Sequence, residues 1–203
     1  MSRHLAGLLA SACALIAAPL SAAPSFDCAK ASSSAEELIC EDAALAALDV
    51  RLAKRYQQTL DVIEALDAGS AEALQTTRAM QRGWIKGRDD CWKAEDLRAC
   101  VEAAYLTREA DLVARWMLET PLSIVSFTCE GNPANEATAF YFDTELPGIR
   151  VEYGDGIKTG YAVPAASGAK YALEFGGLLW SKGNDAQFAW TEGEEMSCVL
   201  AGS

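Results

Sequence analysis

Cysteine is the residue type whose number and setting first suggest chemistry in this sequence. The 203-residue chain has seven cysteines, and one of them, Cys13, lies in an apolar N-terminal segment. The other six are an even number, and no two of them form a C-x-x-C pair. In an exported chain this pattern predicts three disulfide bonds rather than a metal site. These six residues are Cys28, Cys40, Cys91, Cys100, Cys129 and Cys198.

Histidine is nearly absent, and this limits the kinds of catalysis that the chain could perform. His4 is the only histidine, and it lies in a segment that we expect to be removed. A chain without histidine cannot build a Ser-His-Asp triad or a His-ligated zinc site. Adjacent acids at Asp89–Asp90 and Glu194–Glu195 leave open a carboxylate-pair hydrolase acting on peptidoglycan, although such pairs are typical of a solvated surface. We therefore predict that the protein is not an enzyme and needs no cofactor or metal.

The N-terminal segment has the order of a secretory signal peptide. Arg3 and His4 are followed by an apolar run over 5–20 and then by small residues up to Ala23. This order predicts a signal peptide over 1–23 and export to the periplasm. A lipid anchor at Cys13 is disfavoured but not excluded, because alanine stands where a lipoprotein signal has leucine.

The charge of the chain favours one class of partner over another. The formal net charge is −12 at pH 7, and both halves of the sequence are acidic. The phosphates of a nucleic acid would be repelled by such a chain. A basic protein would be attracted to it, and we therefore expect a basic protein partner and no nucleic acid.

The elements that must position these residues change in character near Pro121. Before it, apolar residues recur at helical spacing and predict three helices, over about 34–60, 71–88 and 95–117. After it, short segments rich in Val, Phe, Tyr, Thr and Trp alternate with Gly, Pro, Asn and Asp, which predicts strands. Leu74, Met80, Trp84 and Ile85 are expected to form the buried face of the second helix.

The predicted fold is therefore an α+β, multidomain chain. A disulfide-pinned three-helix N-terminal domain is expected over 24–120, and an eight-stranded antiparallel β-barrel over 123–203. A Cys129–Cys198 disulfide would join the first strand to the last and stabilise the barrel by about 4 kcal/mol in the loop-entropy account. The four N-terminal cysteines allow three pairings, of which we favour Cys28–Cys40 with Cys91–Cys100. The strands are predicted near 124–130, 137–143, 149–153, 158–163, 169–173, 178–181, 186–191 and 196–200.

The second half resembles a known family of inhibitors. FTCEG at 127–131 is followed by SGAKY at 167–171, by WSKGNDA at 180–186 and by Cys198. This order is similar to that of the MliC family of membrane-bound or periplasmic inhibitors of c-type lysozyme. Ser181 departs from the family pattern, which usually has threonine, but both side chains carry a hydroxyl.

The first half resembles the LprI-type N-terminal domain, which is linked to lysozyme inhibition. The segments that carry this resemblance are FDC at 26–28, EELIC at 36–40, LAALDVRLAKRY at 45–56, RGWIKGRDDC at 82–91 and RAC at 98–100.

The resemblance to the MliC family implies a site and a function. In that family the SGxxY serine and the lysine of the later motif reach into the lysozyme cleft, which implies the same role for Ser167 and Lys182. Gly168, Tyr171 and Gly183 complete the implied lysozyme-binding site. The expected function is inhibition of c-type lysozyme, which protects the peptidoglycan. The alternative is a non-catalytic binding or adaptor protein of the cell envelope that uses its helical domain, and the oligomeric state stays open.

Overall fold

The computed structural model describes residues 23–202, so the predicted signal peptide lies outside the described residues apart from Ala23. A helical region precedes a closed barrel, which confirms the predicted α+β fold class. Among the described residues, no helix is both long and apolar enough to cross a membrane. The helices are α1 (Ser34–Glu41), α2 (Ala43–Glu64), α3 (Ser70–Asp89) and α4 (Leu97–Trp116), with short 3-10 helices at Cys28–Lys30, Asp90–Lys93 and Glu174–Gly176. The strands are β1 (Ser123–Cys129), β2 (Glu136–Phe142), β3 (Gly148–Tyr153), β4 (Gly156–Val163), β5 (Ala169–Leu173), β6 (Leu178–Lys182), β7 (Asp185–Ala189) and β8 (Glu195–Leu200).

The first predicted helix is in fact two helices, so the predicted three helices are corrected to four. The chain is extended at Asp42 (φ −99°, ψ 110°), where α1 has ended and α2 begins. Asp42 Oδ1 accepts hydrogen bonds from the backbone N–H groups of Ala44 at 2.8 Å and Leu45 at 3.2 Å. This N-cap satisfies donors that have no partner inside a new helix, and it therefore stabilises the break.

The core of the helical region lies between α2 and α4. Leu45 and Leu52 of α2 are buried, as are Val101, Tyr105 and Leu112 of α4. Each set recurs at three, four or seven residues, so each helix turns one apolar face towards the other.

Helix α3 turns a partly polar face to this core. Trp84 is half-buried and Arg88 is buried, whereas Met80 and Ile85 are exposed, so the prediction that Met80 and Ile85 are buried is wrong. Helix α3 has this orientation because Arg88 is buried against α4, where its Nη1 donates a 2.9 Å hydrogen bond to the Tyr105 hydroxyl. With its buried guanidinium satisfied in this way, α3 can place Trp84 and Arg88 inward and leave the two apolar side chains outside.

The disulfide predictions are confirmed. The structure joins Cys28 to Cys40, Cys91 to Cys100, and Cys129 to Cys198, with Cα–Cα distances of 6.0, 5.6 and 3.9 Å. The first two pin 3-10 helices to the ends of α1 and α4. The third joins residues that are directly opposite each other in β1 and β8.

The eight strands form a closed antiparallel barrel in simple sequence order, with β1 paired to β8. Side chains alternate between the interior and the outside, so that Ala137 and Ala139 of β2 and Ile149 and Val151 of β3 fill the interior with Phe188 of β7. Closure leaves no free sheet edge in the barrel.

Helix α4 also packs on the outside of the barrel, across β2, β3 and β4. Phe142, which is 2% exposed, forms a small buried cluster with Val113 and Ala114. At Gly148 a Cβ atom would lie 3.2 Å from the carbonyl oxygen of Ala110. The absence of a side chain at Gly148 therefore allows the helix to approach the sheet closely.

Polar contacts centred on Arg115 hold α4 to the barrel. Arg115 Nη2 donates to Thr159 Oγ1 at 2.9 Å and to Glu174 Oε1 at 2.5 Å. Asp111 accepts hydrogen bonds from both Arg115 and Thr159. Since these groups are largely removed from water, the charged pairs need each other to remain satisfied in the folded state.

Candidate functional site

Two loops that are separated in the sequence meet at one end of the barrel. The loop between β4 and β5 spans 164–168, and the turn between β6 and β7 is Gly183–Asn184. Antiparallel pairing of β5 with β6 sets Ala169 opposite Ser181, so both loops project from the same end. The two motifs of the predicted site are therefore neighbours in space.

Gly168 is the point of closest approach between these loops. Its φ angle is +72°, and a Cβ atom there would lie 2.2 Å from the carbonyl oxygen of Ser181 and 3.1 Å from Cβ of Lys182. Any other residue would strain the backbone and collide with β6. The glycine thus holds Ser167 beside Lys182.

Trp180 fixes the loop that carries Ser167. Its indole Nε1 donates a 2.8 Å hydrogen bond to the carbonyl oxygen of Ser167. Lys170, on the neighbouring strand, places its Nζ 5.3 Å from the centre of the Trp180 ring. Within residues 23–202, this indole is the only side chain that hydrogen-bonds a residue of the 164–168 loop.

Lys182 lies at the end of β6 and is exposed. The side chain of Leu179 faces the barrel interior, so the alternation along the strand directs that of Lys182 outward. Gly183 adopts a φ angle of +62°, as the tight turn to β7 requires, and the space where its Cβ atom would be is open. Lys182 is therefore an exposed residue beside an open turn.

Tyr171, the remaining residue of the predicted site, faces the opening at this end of the barrel rather than the surrounding solvent. Its ring contacts that of Tyr141 edge to face, with the centres 5.5 Å apart. Burial raises the pKa of both phenols, that of Tyr141 to about 12, against a smaller opposing effect of its hydrogen bond with Ser181. The two rings support the loops from below, around a mouth of about 390 Å³ that Gly183 also lines.

The adjacent acids considered for hydrolysis have ordinary structural partners. Asp89 accepts a 2.7 Å hydrogen bond from Arg88. Asp90 forms an exposed ion pair with Lys93 at 2.8 Å. Glu194 accepts a hydrogen bond from the hydroxyl of Thr191, three residues earlier in the same loop. These contacts are typical of helix ends and loops.

Sequence reasoning missed the role of Lys158. Taken from the sequence alone, this residue is an ordinary surface lysine, comparable to Lys170. In the structure it is 6% exposed, and its Nζ donates a 2.5 Å hydrogen bond to the carbonyl oxygen of Trp190 while lying 4.8 Å from the centre of that ring. Its amine lies at the end of the barrel opposite to the predicted site.

The comparisons with known proteins agree with this two-part architecture. Residues 28–112 match the family described as lysozyme inhibitor LprI, and residues 127–197 match the membrane-bound lysozyme inhibitors of c-type lysozyme, MliC. The curated relatives include lipoprotein LprI of Mycobacterium bovis and of two strains of Mycobacterium tuberculosis. Each is 31% identical over 156 residues, which cover 75% of this chain and 73% of the relative.

Proposed function

This chain belongs to the LprI family of lysozyme inhibitors and carries an MliC-type barrel after its LprI-type helical region, and from that premise we propose that it blocks c-type lysozyme by inserting Ser167 and Lys182 into the active-site cleft. The further expectation is that a signal peptide exports it to the periplasm, where inhibition protects the peptidoglycan. Its role in this proposal is to bind the enzyme, not to catalyse a reaction.

The observation that carries the proposal is the contact between the two motifs at Gly168. Its backbone lies against Ser181 and Lys182, so Ser167 and Lys182 are located at the same end of the barrel. A single narrow cleft could therefore receive both groups.

The chemistry of the two side chains suits the target. Lysozyme cleaves with two carboxyl groups, one acting as a general acid and the other kept ionised. An ammonium group beside the ionised carboxylate makes a charge-assisted hydrogen bond, and a serine hydroxyl can donate to the other carboxyl group. Both groups would also occupy the space of a sugar ring.

The test is the inhibition of a c-type lysozyme by variants of the full chain. Truncating one partner of a buried charge pair costs about 2–5 kcal/mol, so Lys182→Ala should weaken binding at least about 30-fold, mainly through faster dissociation. Ser167→Ala should cost about 1–2 kcal/mol, since it removes a hydrogen bond to a charged group. Both variants should keep the thermal stability of the parent protein, because neither side chain belongs to a buried core cluster.

The control must remove one positive charge far from the site. Lys158 is unsuitable because it is buried. Lys54, on the exposed side of α2, is a better match for Lys182. Long-range steering by charge would change the association rates of Lys54→Ala and Lys182→Ala alike, most strongly at low salt. If the two variants behave alike, or if Lys182→Ala leaves the dissociation rate unchanged, the proposed insertion is wrong.

A further inference from the structure

A second exposed surface lies where the helical region meets the barrel. A groove of about 710 Å³ runs between the end of α2, the start of α3, the end of α4 and the start of β4. Strand β4 begins beside this groove and ends at the loop that carries Ser167. Eight residues of strand separate the two places by roughly 25 Å, so the groove is distinct from the predicted lysozyme contact.

The groove is lined by apolar side chains that the fold leaves uncovered. Five large ones are 37–44% exposed, and the half-buried Trp116 lines the groove with them. Apolar residues scattered singly over a surface are ordinary, whereas a continuous apolar groove with a polar rim is typical of a binding site. Its position at a junction of two folding units is also typical of binding sites. The five side chains are those of Val62, Leu66, Met80, Met117 and Ile157.

The rim of the groove is acidic. Residues 61–72, which run from the end of α2 into α3, contain four acids and no basic residue. They interleave with Val62 and Leu66, and Glu72 itself lines the groove. Two arginines, Arg115 and Arg150, also line it, but their guanidinium groups are paired with carboxylates, those of Glu174 and Glu152 among them. The groove therefore presents apolar surface that is bordered on one side by an acidic segment.

From this combination we propose that the groove binds a cationic amphipathic polypeptide segment, one with apolar side chains on one face and lysine or arginine on the other. The apolar face fills the groove, and the basic face meets the acids of 61–72. A second copy of this chain is disfavoured as the occupant, because each copy carries a net charge of −12.

The test uses the full chain and a fluorescein-labelled synthetic helical peptide of leucines and lysines, followed by fluorescence anisotropy. The central variant is Met80→Lys, which places a positive charge in the groove. Its matched control is Val50→Lys, because Val50 and Met80 are both 43% exposed on helices and only Met80 lines the groove. We expect Met80→Lys to weaken peptide binding at least tenfold and Val50→Lys to change it less than twofold.

A second pair of variants tests the rim without altering apolar surface. Glu72→Gln should weaken binding, and more strongly at low salt, whereas Glu37→Gln, at an exposed position of α1 outside the groove, should not. Inhibition of lysozyme by Met80→Lys should equal that of the parent protein. Equal peptide binding by Met80→Lys and Val50→Lys overturns the proposal. So does equal binding of an acidic peptide of the same apolar content, a dimer that Met80→Lys abolishes, or a loss of lysozyme inhibition in Met80→Lys.

Discussion

Removing the indole N–H of Trp180 should weaken lysozyme inhibition although Trp180 is neither of the two residues proposed to enter the cleft. Trp180→Phe keeps an aromatic ring beside Lys170 but deletes the donor of the 2.8 Å hydrogen bond to the carbonyl oxygen of Ser167. That bond is the side-chain contact that fixes the loop, so its loss should leave Ser167 less well positioned for a narrow cleft.

The size of the effect can be worked from the bond itself. A neutral hydrogen bond contributes about 1 kcal/mol net, because water replaces the lost partner. The Ser167 carbonyl lies at a loop, where water can reach it. If binding lysozyme requires the loop conformation that the bond holds, the inhibition constant should rise about fivefold. The fold should survive, since Leu179 and the other interior side chains are unchanged.

Trp84→Phe provides a closely matched control. Trp84 is half-buried, as Trp180 is, and its Nε1 donates a 3.1 Å hydrogen bond to the carbonyl oxygen of Ala104 in the helical region. Both variants should lose a similar amount of stability in urea unfolding, but only Trp180→Phe should inhibit lysozyme less well. The positioning role also predicts that Ser167→Ala costs less in the Trp180→Phe background than in the parent protein. Equal inhibition by the two tryptophan variants, or strictly additive effects of Trp180→Phe and Ser167→Ala, would refute this reasoning.

Three other expectations follow from the structure. Burial raises the pKa of Tyr141 from 10.0 to about 12, so the folded state holds this phenol proton more tightly than the unfolded chain does. The free energy of unfolding should therefore fall as the pH rises from 10 towards 12, and Tyr141→Phe should make that fall smaller. A fragment of residues 123–203 should keep the Cys129–Cys198 disulfide but unfold at lower urea concentration than the full chain, because it exposes Phe142, whose burial is worth about 1.5–3 kcal/mol. Thiol labelling of the denatured, unreduced mature protein should find no free cysteine, and one labelled thiol per chain would contradict the three disulfides.

The strands were predictable because segments rich in Val, Phe, Tyr, Thr and Trp are bounded by the turn-forming residues Gly, Pro, Asn and Asp. Each of the eight predicted strands lies within two residues of an observed one, and 169–173 coincides with β5. The break at Asp42 was hidden because the apolar stripe continues across it, from Leu38 to Leu45. The spacing of apolar residues indicates only which side of a helix is buried. Because α1 and α2 both contact α4, their buried sides form one apolar stripe in the sequence. Only the capping side chain of Asp42 marks the boundary.

At the start of β4 the apolar and charged side chains exchange their usual positions, since Ile157 is exposed and Lys158 is buried. Pairing with β3 places Lys158 beside the interior residue Val151. Lysine tolerates this position since its stem is apolar and its amine reaches the carbonyl oxygen of Trp190 at the barrel end. Such an arrangement depends on register and on a partner 32 residues away, and a local pattern contains neither.

Helix α4 keeps apart the two surfaces that we propose for binding. One of its faces supplies Val101 and Tyr105 to the helical core, and another packs Val113 and Ala114 against Phe142 of the barrel. The helix therefore belongs to two cores at once, and the orientation of the barrel on the helical region is set by packing rather than by a linker. Since α4 covers the outside of β2–β4, the loops after β4 and β6 stay free to enter a cleft, while the groove opens at the other end of β4. A lysozyme at the loops and a cationic segment in the groove would then not compete for the same surface, so saturating one site should leave the affinity of the other unchanged.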